Sequence, residues 1–161
     1  MKETLTTIEK ALFLKELEFF SHVPIEQAAE VAATSEEVHY EPGDIIYTQG
    51  EASKHVYLII EGSIIAEKDG IVTTVITSGK GLGDLSLTPG GEYSITARAA
   101  EHTHVLRFSL DDFVDSMLEH PEIAVGVVRA LALRVREMGQ QLADVGRQLQ
   151  DGHLEDLEEP R

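Results

Sequence analysis

The chain has 161 residues, no cysteine and a formal net charge of −16, from 29 acidic and 13 basic side chains. Without thiols, disulfides, iron–sulfur clusters and cysteine-based zinc sites are excluded. A surface this acidic repels the phosphate backbone of nucleic acids. The chain also ends soon after its last predicted helix, which leaves no room for a further DNA-binding motif. We therefore expect no nucleic-acid partner. No apolar run reaches the ~20 residues of a membrane span and no signal-peptide core is present, which predicts a cytoplasmic protein with no membrane partner.

The chain opens with two predicted helices. Apolar side chains recur at close to helical spacing over residues 4–20, which indicates an amphipathic helix. Pro24 predicts the start of a second, shorter helix, because proline is well tolerated in the first turn.

Short strands follow, separated by turns that contain glycine. The runs rich in Ile, Val, Tyr and Thr are 38–40, 44–48, 55–60, 63–68, 72–77, 94–99 and 103–108. Many short strands with evenly spaced turns are typical of a β-sandwich or roll. Asp69-Gly70 between two of these runs predicts a hairpin.

Two helices close the chain. Asp111 and Asp112 favour the first turn of a helix that reaches Leu118, and Pro121 ends it and begins the last helix. The last helix carries an apolar heptad stripe at Val128, Leu131, Val135, Met138, Leu142, Val145 and Leu149. This spacing predicts a homodimer seam, and the alternative is that the stripe packs on its own domain. Gly139 and Gly146 cost the helix about 1 kcal/mol each, which indicates close packing or local looseness there.

Residues 82–99 read LGDLSLTPGGEYSITARA. They resemble the phosphate-binding cassette of cyclic-nucleotide-binding domains, whose pattern is F-G-E-L-A-L-x-x-G-x-P-R-[ST/A]-A-T-V-x-A. Residues 41–46, 49–51 and 57–62 resemble the same family's PGD-x-I, GE and YxIxxG motifs, and the resemblance extends over 12–149. It implies a mainly β fold with flanking helices: an antiparallel eight-stranded β-roll (double-stranded β-helix or jelly roll) with N-terminal helices and a long C-terminal helix, which related domains use to dimerise.

The resemblance also implies a ligand site. In the family, backbone N–H groups of a short helix hold the cyclic phosphate, a carboxylate accepts the ribose hydroxyl and an arginine neutralises the phosphate. The positions of this chain that match a functional pocket are Gly83, Asp84, Leu85, Ser86, Tyr93, Ser94, Arg98 and Met138.

Tyr93 stands at the arginine position, with Glu92 beside it. A buried phosphate without a counter-cation loses several kcal/mol of binding free energy. Arg98 or Lys80 could replace the missing cation, and the other interpretation is that both are solvated surface charges. No cofactor is therefore expected, although cAMP or cGMP is possible.

His102 and His104 share one strand face at a spacing that can hold a metal ion. A cupin-type site needs a third histidine and a glutamate in register, and the sequence does not place them. No serine has the sequence around it that marks a catalytic nucleophile. We therefore predict no metal site and no catalytic residues.

The sequence predicts a β-roll domain with N-terminal helices over 1–122, a dimerisation helix over 123–150 and an acidic tail over 151–161, in which residues 155–161 are expected to fray. The predicted function is a non-enzymatic regulatory module with a degenerate pocket, acting through an unknown protein partner or a non-standard ligand. The alternatives are a genuine cyclic-nucleotide receptor with a rebuilt phosphate site and, from another class, a cupin-like metal enzyme.

Overall fold

The computed structural model describes residues 4–78 and 90–158, and of residues 153–158 the backbone alone. The chain divides into two compact units, Met1–Gly126 and Val127–Arg161. The first contains all the strands described below, and the second is the greater part of the last helix.

The N-terminal helix α1, Thr7–Glu16, begins at a capping box. The Thr6 hydroxyl accepts from the Glu9 N–H at 3.2 Å, and the Glu9 carboxylate accepts from the Thr6 N–H at 2.7 Å. The helix predicted over 4–20 ends earlier, at Glu16. Leu17 adopts an extended conformation, and a 3₁₀ turn, Glu18–Phe20, follows. Helix α2, Ile25–Ala32, starts after Pro24 as predicted.

The described residues form seven strands in two antiparallel sheets, against about eight predicted. The strands are β1 Glu36–Tyr40, β2 Ile45–Tyr47, β3 His55–Glu61, β4 Ser63–Lys68, β5 Ile71–Thr77, β6 Thr96–Ala99 and β7 Thr103–Ser109. One sheet has the order β1-β7-β3, and the other has the order β2-β6-β4-β5. The mainly β, antiparallel fold is confirmed.

The β4–β5 hairpin turns at the predicted dipeptide. Asp69 and Gly70 both have positive φ, 53° and 78°, which is the backbone of the tight turn that joins twisted antiparallel strands.

The space between the two sheets is filled by apolar and aromatic side chains from both. The buried members are Ile46, Tyr47, Tyr57, Ile59, Ile64, Ala66, Ile76, Tyr93, Ala97 and Val105. Strand β3 is buried on both faces, since Val56 and Leu58, which point away from this interior, are also inaccessible. Sheet β1-β7-β3 therefore separates the roll interior from a second buried layer.

Helix α3, Leu110–Glu119, is capped by Ser109, whose hydroxyl accepts from the Asp112 N–H at 3.1 Å. Helix α4 runs from Pro121 to Glu158, so it extends beyond residue 150 into the acidic tail. The tail is rich in Glu and Leu, and both are good helix formers, which outweighs its negative charge. In the described part of the chain, no helix is long and apolar enough to cross a membrane.

Candidate functional site

Tyr93 lies inside the roll and is 4% exposed. Its backbone pairs with the turn after β2. The Tyr93 N–H donates to the backbone carbonyl of Glu51, and the Tyr93 carbonyl accepts from the Gly50 N–H, both at 2.9 Å. This pairing aims the side chain inward. The ring stacks on Tyr47, with the centroids 4.1 Å apart and the planes at 17°.

The Tyr93 hydroxyl reaches the start of β3. It accepts from the Lys54 and His55 N–H groups at 3.3 and 3.1 Å, and its geometry also allows donation to the His55 carbonyl at 3.3 Å. A buried phenol needs such partners, and here they are backbone groups of the fold. The side chain at the arginine position is therefore built into the core.

Further tyrosines surround this ring. Tyr57 packs against Tyr47 at 5.4 Å, and Tyr40 lies at the edge of the same cluster. Burial raises the pKa of Tyr57 far above its usual value and also raises the pKa of Tyr40. Both phenols are therefore neutral at physiological pH, and they contribute no charge for a ligand.

One cation does lie on the inner face of sheet β1-β7-β3. Arg107 pairs with Tyr57 across β7 and β3 and with Glu36 across β7 and β1, so all three share a face. Its Nη2 donates to the Glu36 carboxylate at 2.5 Å, a bond that raises the pKa of Arg107 and lowers that of Glu36. Its Nε is buried and has no hydrogen-bond partner among the described residues.

Arg107 is the cation that the sequence analysis missed. Every residue from Thr103 to Leu106 is buried, so β7 shows no clean alternation from which the direction of Arg107 could be inferred.

Two of the other residues predicted for a pocket, Arg98 and Ser94, are not directed into the interior beside Tyr93. Arg98 points out of the roll, where it bonds to the Gly43 carbonyl at 3.1 Å and pairs with Glu67 at 3.5 Å, because Ala97 and Ala99 face inward. Ser94 is exposed, and Met138 on α4 is 57% exposed. Gly83, Asp84, Leu85, Ser86 and Lys80 lie outside the described residues.

A second polar cluster joins β1 and β7. His39 and His104 are register partners whose rings stack at 4.0 Å, and Glu37 Oε1 lies 3.0 Å from His104 Nε2. His102 continues the stack, 5.5 Å from His39, with Glu41 3.4 Å from its Nδ1. His39 and Glu37 therefore lie beside His104, and one ligand atom from each of these three residues lies within 4.8 Å of the others.

The predicted dimer seam is solvent-exposed over most of its length. The exposed members are Val128, Val135, Met138, Leu142, Val145 and Leu149, and Leu131 is half-buried.

Two sheets enclosing a packed interior, with helices before them and a long final helix, define the class of helix-flanked β-roll domains. Residues 37–120, just over half of the chain, match the cyclic nucleotide-binding domain family. The chain belongs to this family, as its motifs predicted. Domains of this family are typically regulatory.

Solved structures agree with this assignment at the level of the fold. The chain is similar to the catabolite activator protein of Thermus thermophilus, with a TM-score of 0.68, 24% identity and coverage of 80% of this chain and 63% of that one. It is also similar to the sensor domain of the transcriptional regulator DNR of Pseudomonas aeruginosa, with a TM-score of 0.67, 20% identity and coverage of 80% and 90%.

Curated relatives belong to the NTE group. The chain is 31% identical over 106 residues to the lysophospholipase nte1 of Aspergillus oryzae, covering 63% of this chain and 7% of that protein. It is 26% identical over 125 residues to an uncharacterized NTE family protein of Mycobacterium tuberculosis, covering 77% of this chain and 21% of that one. The chain thus spans about a fifth or less of these relatives.

Proposed function

We propose that this chain is a non-enzymatic regulatory module whose roll interior is filled by its own side chains, and that it acts through protein–protein interaction or a non-standard ligand. The observation that carries the proposal is Tyr93. The aromatic ring occupies the interior at the position where the family places its phosphate-binding arginine, and its hydroxyl is bonded to the backbone at His55.

Two costs oppose a cyclic nucleotide in this interior. A ligand that entered would displace a buried aromatic side chain, whose burial stabilises the fold by about 1.5–3 kcal/mol. Its phosphate would also lack a cation at position 93, which costs several kcal/mol more. Since 4.1 kcal/mol separates micromolar from millimolar affinity, these costs together predict very weak binding.

The NTE relatives support a regulatory role. The similarity covers a small part of those proteins, and that part is the cyclic nucleotide-binding domain. We therefore carry over the domain's regulatory character and not the lysophospholipase activity that one relative is named for.

The proposed assembly is a homodimer through α4. Its apolar stripe repeats with heptad spacing and is largely exposed, which suits a second copy of the same helix.

A second candidate is a true cyclic-nucleotide receptor with a rebuilt phosphate site, and Arg107 favours it. Its guanidinium lies on the inner face, and its buried Nε lacks a partner among the described residues. The hydrogen bond to Glu36 weakens this candidate, because that carboxylate already neutralises the cation.

Calorimetric titration with cAMP, cGMP and cyclic dinucleotides distinguishes the two candidates. We expect dissociation constants no tighter than the high micromolar range. Low-micromolar binding of cAMP or cGMP at one ligand per chain would reject the filled interior and favour the second candidate.

Arg107→Gln should then weaken that binding at least about tenfold, since a charge-assisted hydrogen bond contributes roughly 1.5–3 kcal/mol. The matched control is Arg98→Gln, which removes an arginine that faces out of the roll. Equal effects of the two substitutions would exclude Arg107 as the phosphate ligand.

A further inference from the structure

Three side chains from two strands converge on the face of sheet β1-β7-β3 that points away from the roll interior. Glu37 and His39 alternate along β1 with Val38 and Tyr40, which pack toward the interior. His104 lies opposite His39 in the antiparallel register. One ligand atom from each of Glu37, His39 and His104 lies within 4.8 Å of the other two.

This donor set suits a divalent transition-metal ion. Zn²⁺ binds imidazole nitrogen and carboxylate oxygen at about 2.1 Å, which places tetrahedral ligand atoms about 3.4 Å apart. Glu37 Oε1 already lies 3.0 Å from His104 Nε2, and the stacked rings of His39 and His104 must rotate for one nitrogen of each to face the same ion. Two histidines and one carboxylate fill three positions and leave a fourth for water.

The glutamate is already held in place by the backbone. Its Oε2 accepts from the Leu5 N–H at 3.0 Å, and this leaves Oε1 directed at His104. Outer hydrogen bonds of this kind orient metal-binding carboxylates and strengthen binding. The side chains of Glu37 and His104 are only 8% and 10% exposed, so the ion would be bound in a largely dry environment.

The cluster has an open end. His102 and Glu41 continue the stack toward solvent and are 38% and 70% exposed, respectively. A carboxylate at the entrance and the net charge of −16 both raise the local concentration of cations.

We propose that Glu37, His39 and His104 form a binding site for one Zn²⁺ ion, which would link β1 to β7. This site lies on the opposite face of the sheet from Tyr93 and Arg107 and does not depend on the function proposed above.

The test is a calorimetric titration of the metal-stripped full chain with ZnCl₂ alone. We expect one ion per chain with a dissociation constant in the micromolar range or tighter. His39→Gln and His104→Gln should each weaken binding at least about tenfold, the scale of loss seen even for supporting residues of metal sites.

His120→Gln is the matched control. His120 Nε2 also lies 3.0 Å from a glutamate, Glu30, yet the described residues contain a single three-ligand cluster and this pair is not in it. The control should bind Zn²⁺ as the wild type does. A control that loses as much affinity as His39→Gln would overturn the assignment.

Titration with Co²⁺ gives an independent readout. We expect visible absorption bands of a nitrogen- and oxygen-ligated ion, which His39→Gln abolishes while circular dichroism shows an intact fold. His104 is buried, so the His104→Gln variant is the less certain to fold. If it does not fold, the His39→Gln variant, at a half-buried position, tests the proposal alone. If the wild type does not bind Zn²⁺ stoichiometrically, or if His39→Gln binds it equally well, the cluster is only a Glu37–His104 hydrogen bond and the proposal is overturned.

Discussion

At the scale of single residues, Tyr93 connects the sequence to the proposed function. The substitution of tyrosine for arginine removes a positive charge from the cassette and adds an aromatic ring to the core, where it stacks on Tyr47. An arginine at this position would be held by a bound phosphate, whereas the tyrosine is held by the backbone of Lys54 and His55. Both the ring and the hydroxyl of Tyr93 therefore have their partners within the fold.

Two substitutions at Tyr93 separate the contribution of its ring to stability from that of its hydroxyl. Tyr93→Phe keeps the ring but removes the acceptor of the Lys54 and His55 N–H groups. We therefore expect a loss of about 1–2 kcal/mol in the free energy of unfolding, measured by urea denaturation. Tyr93→Ala also leaves a cavity and should cost about 3–5 kcal/mol.

Tyr93→Arg tests whether the pocket is open. A guanidinium in this aromatic cluster lacks a counter-ion, so we expect a less stable protein with no gain in affinity for cAMP by calorimetry. A gain of about tenfold or more with the fold retained would show an open pocket and contradict the filled interior.

His55 predicts a pH dependence. Burial, with the nearby Arg107 charge, lowers the pKa of His55 below its usual value. The unfolded chain therefore takes up a proton near pH 6.5 before the folded chain does. The stability that neutral His55 contributes is present above about pH 6.5 and is lost as the pH falls through the folded-state pKa.

The measurement compares wild type with His55→Gln by urea denaturation at pH 7.5, 6.5 and 5.5. The wild type should lose more stability than the variant on acidification, by less than about 1 kcal/mol because His55 is partly exposed. Parallel losses in the two proteins would show that this histidine does not carry the effect.

At the scale of elements, local signals predicted the strands well. Strand β4 has the bounds 63–68 that its Ile-rich run indicated, and the Asp69-Gly70 hairpin formed as expected. Pairing between distant strands was not predictable. Glu37 and His104 are 67 residues apart in sequence, and their contact depends on β1 lying beside β7.

The contrast between local signals and distant strand pairing explains which side-chain positions at the candidate sites could be predicted from the sequence. The direction of Arg98 could have been inferred from the small inward residues on either side of it. The direction of Arg107 could not, because its strand is buried on both faces. The His39–His104 cluster needed the register of the two strands, which no local pattern contains.

The glycines of α4 make a matched pair of predictions. A Cβ on Gly126 would lie 2.0 Å from the Phe19 carbonyl oxygen, so the helix approaches the 3₁₀ turn as closely as glycine permits. Gly126→Ala should therefore lower the free energy of unfolding by about 1–3 kcal/mol or more.

Gly139→Ala is the control, because a Cβ there meets nothing within 4 Å. Alanine should stabilise this part of the helix by up to about 1 kcal/mol, measured as a higher melting temperature of the helical signal in circular dichroism. A gain in both variants would contradict the close approach at Gly126, and a loss at Gly139 would show that this glycine packs against a partner.

At the scale of the whole molecule, the last prediction concerns assembly. Association of two α4 helices would bury a stripe that is now exposed, including Val135 at 68% and Leu142 at 73%. We expect the chain to sediment as a dimer at micromolar concentration.

Val135→Asp together with Leu142→Asp should produce a monomer, because each carboxylate would be desolvated beside its symmetry mate. The β-rich circular dichroism should persist, since Met1–Gly126 is a compact unit with its own core. Leu133→Asp, at an exposed apolar position off the stripe, is the control and should remain dimeric. A monomeric wild type would refute the seam, and a double variant that unfolds would assign the stripe to the chain's own packing, which is the alternative that the heptad spacing left open.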